Sequence, residues 1–249
     1  MRFRFGFKKV VFVCAYIYSG MACALGSLVC ILLFIVPLPV QIRERETRRI
    51  IHYLCAGLVA YLRFFKLLEA DFGTLSQLRQ RSGVIIAVNH PTYIDAILMM
   101  SQLPNVFCLM KTNLHRNPFI AAMVRSAGYE DNTDTNRLIE NCSRRLQSGE
   151  NLLVFPEGTR TSTPPLGRLK RGFALMAMRA QAPVITVLAT SLNGPYLRKG
   201  QPFLAFPPSL PIGYRFATSE EFLSTPGEQS REFCLKIETH FREALASQS

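Results

Sequence analysis

Hydrophobic and polar positions divide the chain into a long apolar N-terminal stretch and a region of short alternating elements. Val10 to Val36 contains no Asp, Glu, Lys, Arg or His. As one helix it would be roughly 40 Å long at about 1.5 Å per residue. That length is enough to cross a bilayer core of about 30 Å. Pro37 and Pro39 end the apolar stretch, so the pattern predicts an N-terminal membrane helix.

A second apolar segment, Ile50 to Leu68, is interrupted by His52, Arg63 and Lys66. These ionisable groups make it a poor second membrane span. Two arrangements stay open: a helical pair that anchors the chain or lies in one leaflet, or one true span followed by an ordinary buried helix. A cleavable signal peptide fits less well, because the apolar stretch continues past the small residues Ala22-Cys23-Ala24.

Charge is concentrated around these apolar segments. Of the net charge of +12, residues 1–68 carry +8 and residues 69–249 carry +4. Basic groups flanking an apolar helix favour an anionic membrane surface as partner. The later sequence has no Lys/Arg-rich stripe with interleaved aromatics, so we expect no nucleic-acid partner. A helical hairpin would leave both basic flanks on the cytoplasmic face.

The seven cysteines have no paired spacing, and three of them lie in the first apolar stretch. This distribution is typical of buried thiols in a reducing compartment and argues against a disulfide framework or a zinc site.

From Glu69 onward, short β-rich stretches alternate with longer helical ones. This pattern predicts an α/β fold with a mostly parallel central sheet flanked by helices, preceded by an N-terminal membrane-associated helical pair. We expect residues 1–68 to be a membrane-anchoring helical segment and residues 69–249 to be a separate domain. The predicted strands are Val84–Val88, Val106–Met110, Leu152–Phe155 and Val184–Leu188, with weaker ones near Phe203–Phe206 and Ile212–Phe216. The predicted helices are Tyr93–Ser101, Pro118–Ser126, Asp134–Gln147, Leu169–Ala180 and Glu228–Ala246.

His90 follows the first of these strands, and Asp95 lies five residues later. On one continuous helix the two would be rotated by about 140° from each other. They can meet only if His90 lies in the loop before the helix, a geometry that Pro91 favours. A carboxylate on one ring nitrogen would support the positive charge as the other nitrogen accepts a proton. The pair has the form of a general base, although Thr92-x-x-Asp95 also has the form of a capping box.

A second strand end carries the sequence Pro156-Glu157-Gly158-Thr159-Arg160. In a parallel sheet this loop would open at the same carboxyl edge as His90. Gly158 permits a tight turn, Arg160 suits a phosphate, and Glu157 could accept a hydrogen bond from a hydroxyl or orient the arginine. The alternative is a Glu-Arg pair in a surface turn. Three further cations, Arg168, Lys170 and Arg171, could widen an anion site.

Both blocks resemble a known family. Residues 89–95, with histidine and aspartate separated by four residues, match the first block of the glycerolipid acyltransferase superfamily, which includes the 1-acylglycerol-3-phosphate O-acyltransferases. Phe155 to Arg160 resembles the second block. The resemblance covers roughly residues 69–215, and the N-terminus is similar to the membrane-docking helices of bacterial members. It continues through Lys111, Pro118, Lys170 to Gly172 and Ala182 to Val184.

The resemblance implies a concrete reaction. His90 and Asp95 would be catalytic, and His90 would deprotonate an acceptor hydroxyl that attacks the thioester of an acyl carrier protein or coenzyme A. Lysophosphatidate is the acceptor most typical of the family. The resemblance implies no metal and no cofactor besides the acyl thioester, and a bacterial inner-membrane location with the catalytic domain facing the cytoplasm. The implied substrate-binding residues are Glu157, Gly158, Thr159, Arg160, Lys111 and Lys170.

One segment departs from the family pattern. Many phosphatidate-forming members carry an arginine between the two blocks, whereas Gly128 to Asp134 is acidic here and the next arginine is Arg137. Acidic groups there would repel a phosphate, unless Arg125 or Arg137 substitutes. An acyltransferase acting on a specialised acceptor and a non-catalytic lipid-binding protein of the same fold therefore stay open.

Overall fold

Two long helices precede the sheet. The computed structural model describes residues 2–131, 133–194, 196–202, 205–207 and 209–247, with side chains from residue 6 onward. Helix α1 spans Arg2–Ile35 and α2 spans Val40–Phe64. The chain turns between them at Pro37 to Pro39, where Pro39 accepts the first backbone hydrogen bonds of α2 from Ile42 and Arg43.

Helix α2 begins at Val40, well before the apolar segment expected from Ile50. Part of its polar start faces the protein, because Thr47 and Arg48 are buried, whereas Gln41 and Arg45 are exposed. Arg48 forms ion pairs with Glu44 at 2.8 Å and with Glu150 at 2.5 Å. Leu68, the last residue of the predicted anchoring segment, lies in a strand of the sheet. The division at residue 68 stays a prediction.

The described residues form a seven-stranded sheet in the order β1-β7-β6-β2-β5-β3-β4. Five consecutive strands of this order, β6, β2, β5, β3 and β4, are parallel to one another. Strand β7 is antiparallel to β6, and β1 is parallel to β7. The prediction of a mostly parallel sheet is confirmed. The strands are β1 Leu68–Asp71, β2 Ile85–Val88, β3 Val106–Met110, β4 Glu130–Asp131, β5 Asn151–Val154, β6 Val184–Ser191 and β7 Ile212–Phe222.

Helices flank this sheet at the positions expected from the sequence, most of them beginning a few residues later. Strands β1 and β4 were not predicted: β4 has only two residues, and β1 begins at Leu68, the end of the segment interpreted as helical. For the weak strand at 203–206, residues 203 and 204 lie outside the described residues, and Ala205 and Phe206 are not in a strand. The remaining helices are a 3₁₀ helix at Gly73–Gln80, α3 Asp95–Gln102, α4 Thr112–His115, α5 Ala121–Ser126, α6 Thr135–Gln147, α7 Gly172–Ala180 and α8 Ser230–Ala246.

Strand β2 is the centre of the core. All four of its residues are fully buried, as expected for a parallel strand covered on both faces. Its neighbours β5 and β6 run in the same direction. The loops that follow β2 and β5 therefore leave the sheet side by side at one carboxyl edge, where such folds place ligands.

Candidate active site

Asn89 fixes the point at which the chain leaves β2. Its buried side chain makes two hydrogen bonds to the backbone of Ala189, as a neighbouring strand would. Oδ1 accepts from the Ala189 N–H at 2.7 Å, and Nδ2 donates to the Ala189 carbonyl at 2.9 Å. The amide side chain thus continues the contact with β6 while the backbone turns away. The next residue, His90, emerges directly at the carboxyl edge.

The backbone of His90 is bonded to the loop after β5. Its N–H donates to Glu157 Oε1 at 3.0 Å, and its carbonyl accepts from the Thr161 N–H at 2.7 Å. The imidazole stacks on the Phe155 ring with 4.1 Å between centroids and 27° between planes. These contacts join the two strand ends, as the sequence predicts, and fix the plane of the imidazole.

His90 and Asp95 form a hydrogen-bonded pair. His90 Nδ1 lies 3.1 Å from Asp95 Oδ2, and the aspartate side chain is fully buried. Helix α3 begins at Asp95 itself, so His90 lies in the preceding loop. Because a carboxylate oxygen accepts, Nδ1 carries the proton and Nε2 is the nitrogen that can take one from a substrate.

Asp95 also makes the contact with Thr92 that the alternative interpretation, a Thr92-x-x-Asp95 capping box, predicts. Its Oδ2 accepts from the Thr92 N–H at 2.7 Å, and its Oδ1 accepts from the Thr92 hydroxyl at 2.6 Å. One carboxylate therefore closes the turn before α3 and holds the imidazole. With His90 and Thr92 as donors, it accepts three hydrogen bonds, which orient it and stabilise its negative charge.

Tyr214 on β7 extends this network and was not predicted as a site residue. Its hydroxyl lies 2.6 Å from Thr92 Oγ1, and because Thr92 donates to Asp95, Tyr214 is the donor to Thr92. Burial raises the pKa of Tyr214 well above its ordinary value, and the charge of Asp95 raises it further. The phenol therefore stays protonated and can keep donating toward the carboxylate.

Glu157 holds the site loops together. It is almost fully buried, and Oε1 accepts from the Thr161 hydroxyl at 2.8 Å as well as from His90. Oε2 accepts from the Gly167 N–H at 2.8 Å, and a Cβ at residue 167 would lie only 2.6 Å from Oε2. Glu157 is thus not part of a surface ion pair with Arg160. A direct contact with the acceptor stays a prediction.

Arg160 is partly exposed, and its guanidinium is oriented by the backbone of a distant segment. Nη1 donates to the carbonyls of Leu197 at 2.8 Å and Arg198 at 3.1 Å. The guanidinium lies 5.8 Å from the centroid of the Tyr93 ring. Among the described residues, both of these hydrogen bonds come from Nη1, so the rest of the guanidinium fork is available for an anion.

Gly158 brings a lysine close to the loop backbone. It has φ of +66°, which favours glycine, and a Cβ there would lie 2.7 Å from Lys170 Nζ, at the flexible end of the lysine side chain. Lys170 is exposed, and its N–H donates to the Pro156 carbonyl at 2.8 Å. Lys111, which directly follows β3, is also exposed, whereas Thr159 is half-buried.

One cavity of about 610 Å³, within the range of small-molecule sites, is lined by six of the predicted site residues, His90, Lys111, Gly158, Thr159, Arg160 and Lys170. The predicted residues Asp95 and Glu157 are not in its described lining. Its charged lining comes from the carboxyl ends of β2, β3 and β5, and its apolar lining comes mostly from helices. Burial raises the pKa of the Cys108 thiol in this lining to about 12, so the thiol is not a nucleophile at neutral pH. The charged and imidazole side chains in the lining are His90, Lys111, Arg160 and Lys170. Its helical lining includes Tyr18, Ala22 and Cys23 of α1, and Leu54, Cys55 and Leu58 of α2.

A family model described as Acyltransferase matches residues 70–190, the range that holds both strand ends of the site. The match covers just under half of the chain, and over this range the chain resembles an acyltransferase domain. The sequence resemblance is thereby confirmed at the level of the superfamily.

Relatives of the acyltransferase domain carry related names. The chain is 23% identical over 181 residues to the chloroplastic 1-acyl-sn-glycerol-3-phosphate acyltransferase BAT2 of Brassica napus, covering 70% of this chain and 52% of the relative. It is 29% identical over 126 residues to the putative 1-acyl-sn-glycerol-3-phosphate acyltransferase acl-2 of Caenorhabditis elegans, covering 48% and 45%. The chain therefore spans about half the length of these curated relatives.

A solved structure shares the whole fold. The crystal structure of PlsC, the 1-acyl-sn-glycerophosphate acyltransferase of Thermotoga maritima, matches with a TM-score of 0.71 at 14% identity. The match covers 96% of this chain and 95% of the other. It confirms the α/β fold of the acyltransferase domain together with the preceding apolar helix.

The acidic side chains of residues 128–134 are not in the described lining of the cavity. Strand β4 is at the edge of the sheet and pairs with β3, where Asp131 is opposite the lining residue Met110. Glu130 is 3.5 Å from Arg145, and Asp134 caps α6 by accepting from the Asn136 and Arg137 amides. Of the block 128–134, Tyr129 is the residue in the described cavity lining. The expected repulsion of a phosphate stays a prediction.

The two candidate substitutes for the missing arginine do not line the cavity either. Arg125 is exposed and donates to the His115 carbonyl at 3.0 Å, and Arg137 is exposed. Among the described lining residues, the cations are Lys111, Arg160 and Lys170. A phosphate in this cavity would have these three partners.

Proposed function

We propose that this chain is a membrane-bound acyltransferase that moves a fatty acyl group from an acyl carrier protein or coenzyme A thioester to lysophosphatidate, forming phosphatidate. One observation carries the proposal: His90, held by a buried Asp95, lines an apolar cavity together with Arg160 and two lysines. An apolar cavity suits an acyl chain, and the cations suit a phosphate. The names of the relatives support the same substrate class.

The reaction follows from the free ring nitrogen. His90 Nε2 takes the proton of the acceptor hydroxyl as its oxygen attacks the thioester carbonyl. The carbon-sulfur bond breaks in the tetrahedral intermediate, and the imidazolium returns the proton to the leaving thiolate. The products are an ester and a free thiol, with no acyl-enzyme. Asp95 stabilises the imidazolium between the two proton transfers. The scheme requires no metal and no further cofactor.

Replacing Arg160 by lysine tests whether Arg160 binds the phosphate of the acceptor. Lysine keeps the charge and loses the planar fork, so we expect the KM for lysophosphatidate to rise about tenfold. A monoacylglycerol acceptor, which has no phosphate, should show a change of less than about twofold. Steady-state kinetics with both acceptors, read by mass spectrometry of the products, make the comparison.

The exposed Arg179 on α7 offers a matched control. Arg179→Lys makes the same chemical change outside the described cavity lining, and it should leave both KM values unaltered. An equal effect of Arg160→Lys on the two acceptors would remove Arg160 from the phosphate site.

Helix α1 has the surface expected of a helix that lies in one leaflet. Among the described residues, the segment Gly6–Ile35 of α1 is the helix that is long and apolar enough to cross a membrane. One face packs on the protein at both ends: Phe12 is buried, and Ser27 donates to the Phe119 carbonyl at 2.6 Å. The opposite face exposes Val13, Ile17 and Met21. Because α1 lies along the protein, these contacts support docking in one leaflet rather than a crossing.

Aspartates on this exposed face should weaken membrane binding. Ile17→Asp with Met21→Asp removes two apolar side chains, each worth about 1.5–3 kcal/mol when buried, so we expect binding to vesicles with anionic lipid to fall by at least about tenfold. Leu235→Asp, at an exposed leucine of α8, is the control and should bind as wild type. Flotation with vesicles measures both, and unchanged flotation of the double variant would refute this docking face.

The basic residues on α1 and α2 support an anionic surface as the partner of this face. Residues 1–68 are accordingly proposed as the membrane-anchoring segment and residues 69–249 as the catalytic domain. A bacterial inner membrane, with the catalytic domain facing the cytoplasm, is the proposed location.

A further inference from the structure

We infer that α1, besides docking on the membrane, positions the acceptor-binding Arg160 through the segment Tyr196–Arg198, so that a lipid surface that seats α1 also sets the acceptor site. The inference rests on the role proposed for Arg160. Three sets of contacts carry it, from α1 to Tyr196, from Tyr196 to the neighbouring loop, and from Leu197 and Arg198 to Arg160.

The first contact joins the half-buried Tyr16 of α1 to the buried Tyr196. Their hydroxyls are 2.6 Å apart. Tyr196 donates to the carbonyl of Ala205, so its oxygen accepts from Tyr16, which also lies 3.3 Å from that carbonyl. Burial raises the pKa of Tyr196, so its phenol stays protonated.

Aromatic packing surrounds this pair. The Phe12 ring, one turn before Tyr16 on α1, meets the rings of Tyr196 and Phe206 edge-on at centroid distances of 5.8 and 5.3 Å. Lys9 Nζ lies 5.5 Å from the centroid of the Phe206 ring. Three successive turns of α1 therefore hold the loop that contains Tyr196, through contacts of apolar area as well as one hydrogen bond.

The last contact reaches the acceptor site. The carbonyls of Leu197 and Arg198 both accept from Arg160 Nη1, and the Leu197 carbonyl also accepts from the Tyr93 N–H at 3.2 Å. Leu197 has φ of +58°, a conformation that residues with a side chain rarely adopt and that persists only where the surroundings impose it. Leu197 and its neighbour Tyr196 are both buried, so the packing of their side chains holds the backbone in this conformation.

Helix α1 thus lies between the proposed membrane surface and the segment Tyr196–Arg198. One face exposes large apolar side chains to the proposed membrane, and the other holds Tyr196. A shift of α1 would move the Tyr196–Arg198 carbonyls, and with them the guanidinium and the Tyr93 ring beneath it. Tyr16 and Tyr196 are positioning residues in this scheme, since they act through Arg160.

Tyr16→Phe removes the joining hydroxyl and keeps the ring. We expect the KM for lysophosphatidate to rise about fivefold, the order of one ordinary hydrogen bond, while kcat and the KM for the acyl thioester change by less than about twofold. Tyr53→Phe, which removes an exposed hydroxyl from α2, is the control. In an Arg160→Lys background, Tyr16→Phe should add nothing, because the two residues act in series.

Hydrogen exchange gives a readout that does not depend on transfer. The Tyr93 amide donates to Leu197, so its exchange should be faster in Tyr16→Phe than in wild type or Tyr53→Phe, both in vesicles. If the Tyr93 amide of Tyr16→Phe exchanges at the same rate as in wild type, the inference is overturned, whether or not lysophosphatidate is the acceptor. Additive effects of Tyr16→Phe and Arg160→Lys on KM also overturn it. An absence of transfer by wild type, with the exchange difference present, contradicts the proposed function and leaves the coupling of α1 to this segment supported.

Discussion

His90→Ala is expected to lower acyl transfer roughly a thousandfold, within the range measured for loss of a general base. The variant removes the only nitrogen that the scheme uses as proton acceptor, while the neighbouring contacts of Asp95 with Thr92 remain. The rate of thiol release with lysophosphatidate and an acyl thioester measures the effect. Circular dichroism and thermal unfolding establish that the variant is folded.

A second histidine-carboxylate pair provides the matched control. His240 Nδ1 on α8 lies 3.0 Å from Glu220, a geometry close to that of His90 and Asp95, but His240 is not in the described cavity lining. His240→Ala should transfer at close to the wild-type rate. Transfer by His90→Ala at that same rate would eliminate the general-base mechanism.

Asp95→Asn is expected to lower kcat roughly a hundredfold with little change in either KM. The amide keeps the shape of the side chain but loses the charge that stabilises the imidazolium. It also weakens three buried hydrogen bonds, so a loss of about 1–3 kcal/mol in the free energy of unfolding should accompany it. Kinetics at saturating substrate and denaturant unfolding separate the two effects.

Glu220→Gln makes the equivalent change at the control pair and should leave kcat intact. If Asp95→Asn lost stability but retained wild-type kcat, Asp95 would be a capping residue alone, and the second interpretation of the Thr92-x-x-Asp95 pattern would stand.

The parts of the site predicted from the sequence are those encoded within a few residues. His90 and Asp95 are five positions apart, and an apolar strand ending in Asn-His-Pro is visible without any knowledge of the fold. The meeting of His90 with the loop after β5 followed from the parallel sheet predicted by the alternating elements.

The parts that were missed depend on long-range packing. Tyr214 is 122 positions from Thr92 along the chain, and an aromatic residue in an alternating strand looks like any core residue. The same holds for Tyr16 and Tyr196, which are 180 positions apart. The lining residues of α1 were interpreted only as membrane contacts, and α2 was left open between a membrane-associated and an ordinary buried helix, because hydrophobicity does not distinguish lipid from a protein interior.

Polarity misled the prediction at the start of α2. This polar stretch looked like a flank of a membrane helix, yet Arg48 is buried in an ion-pair network with Glu44 and Glu150. A charge in a sequence does not indicate which way its side chain faces.

The transfer reaction itself tests the account most directly. Purified wild-type protein in vesicles would receive lysophosphatidate and an isotope-labelled acyl thioester of acyl carrier protein or coenzyme A, with products followed by mass spectrometry and thiol release. We expect labelled phosphatidate and free thiol in equal amounts, with the rate lowered roughly a thousandfold by His90→Ala and retained by His240→Ala. Thiol release without labelled phosphatidate, or no reaction with either donor, would contradict it.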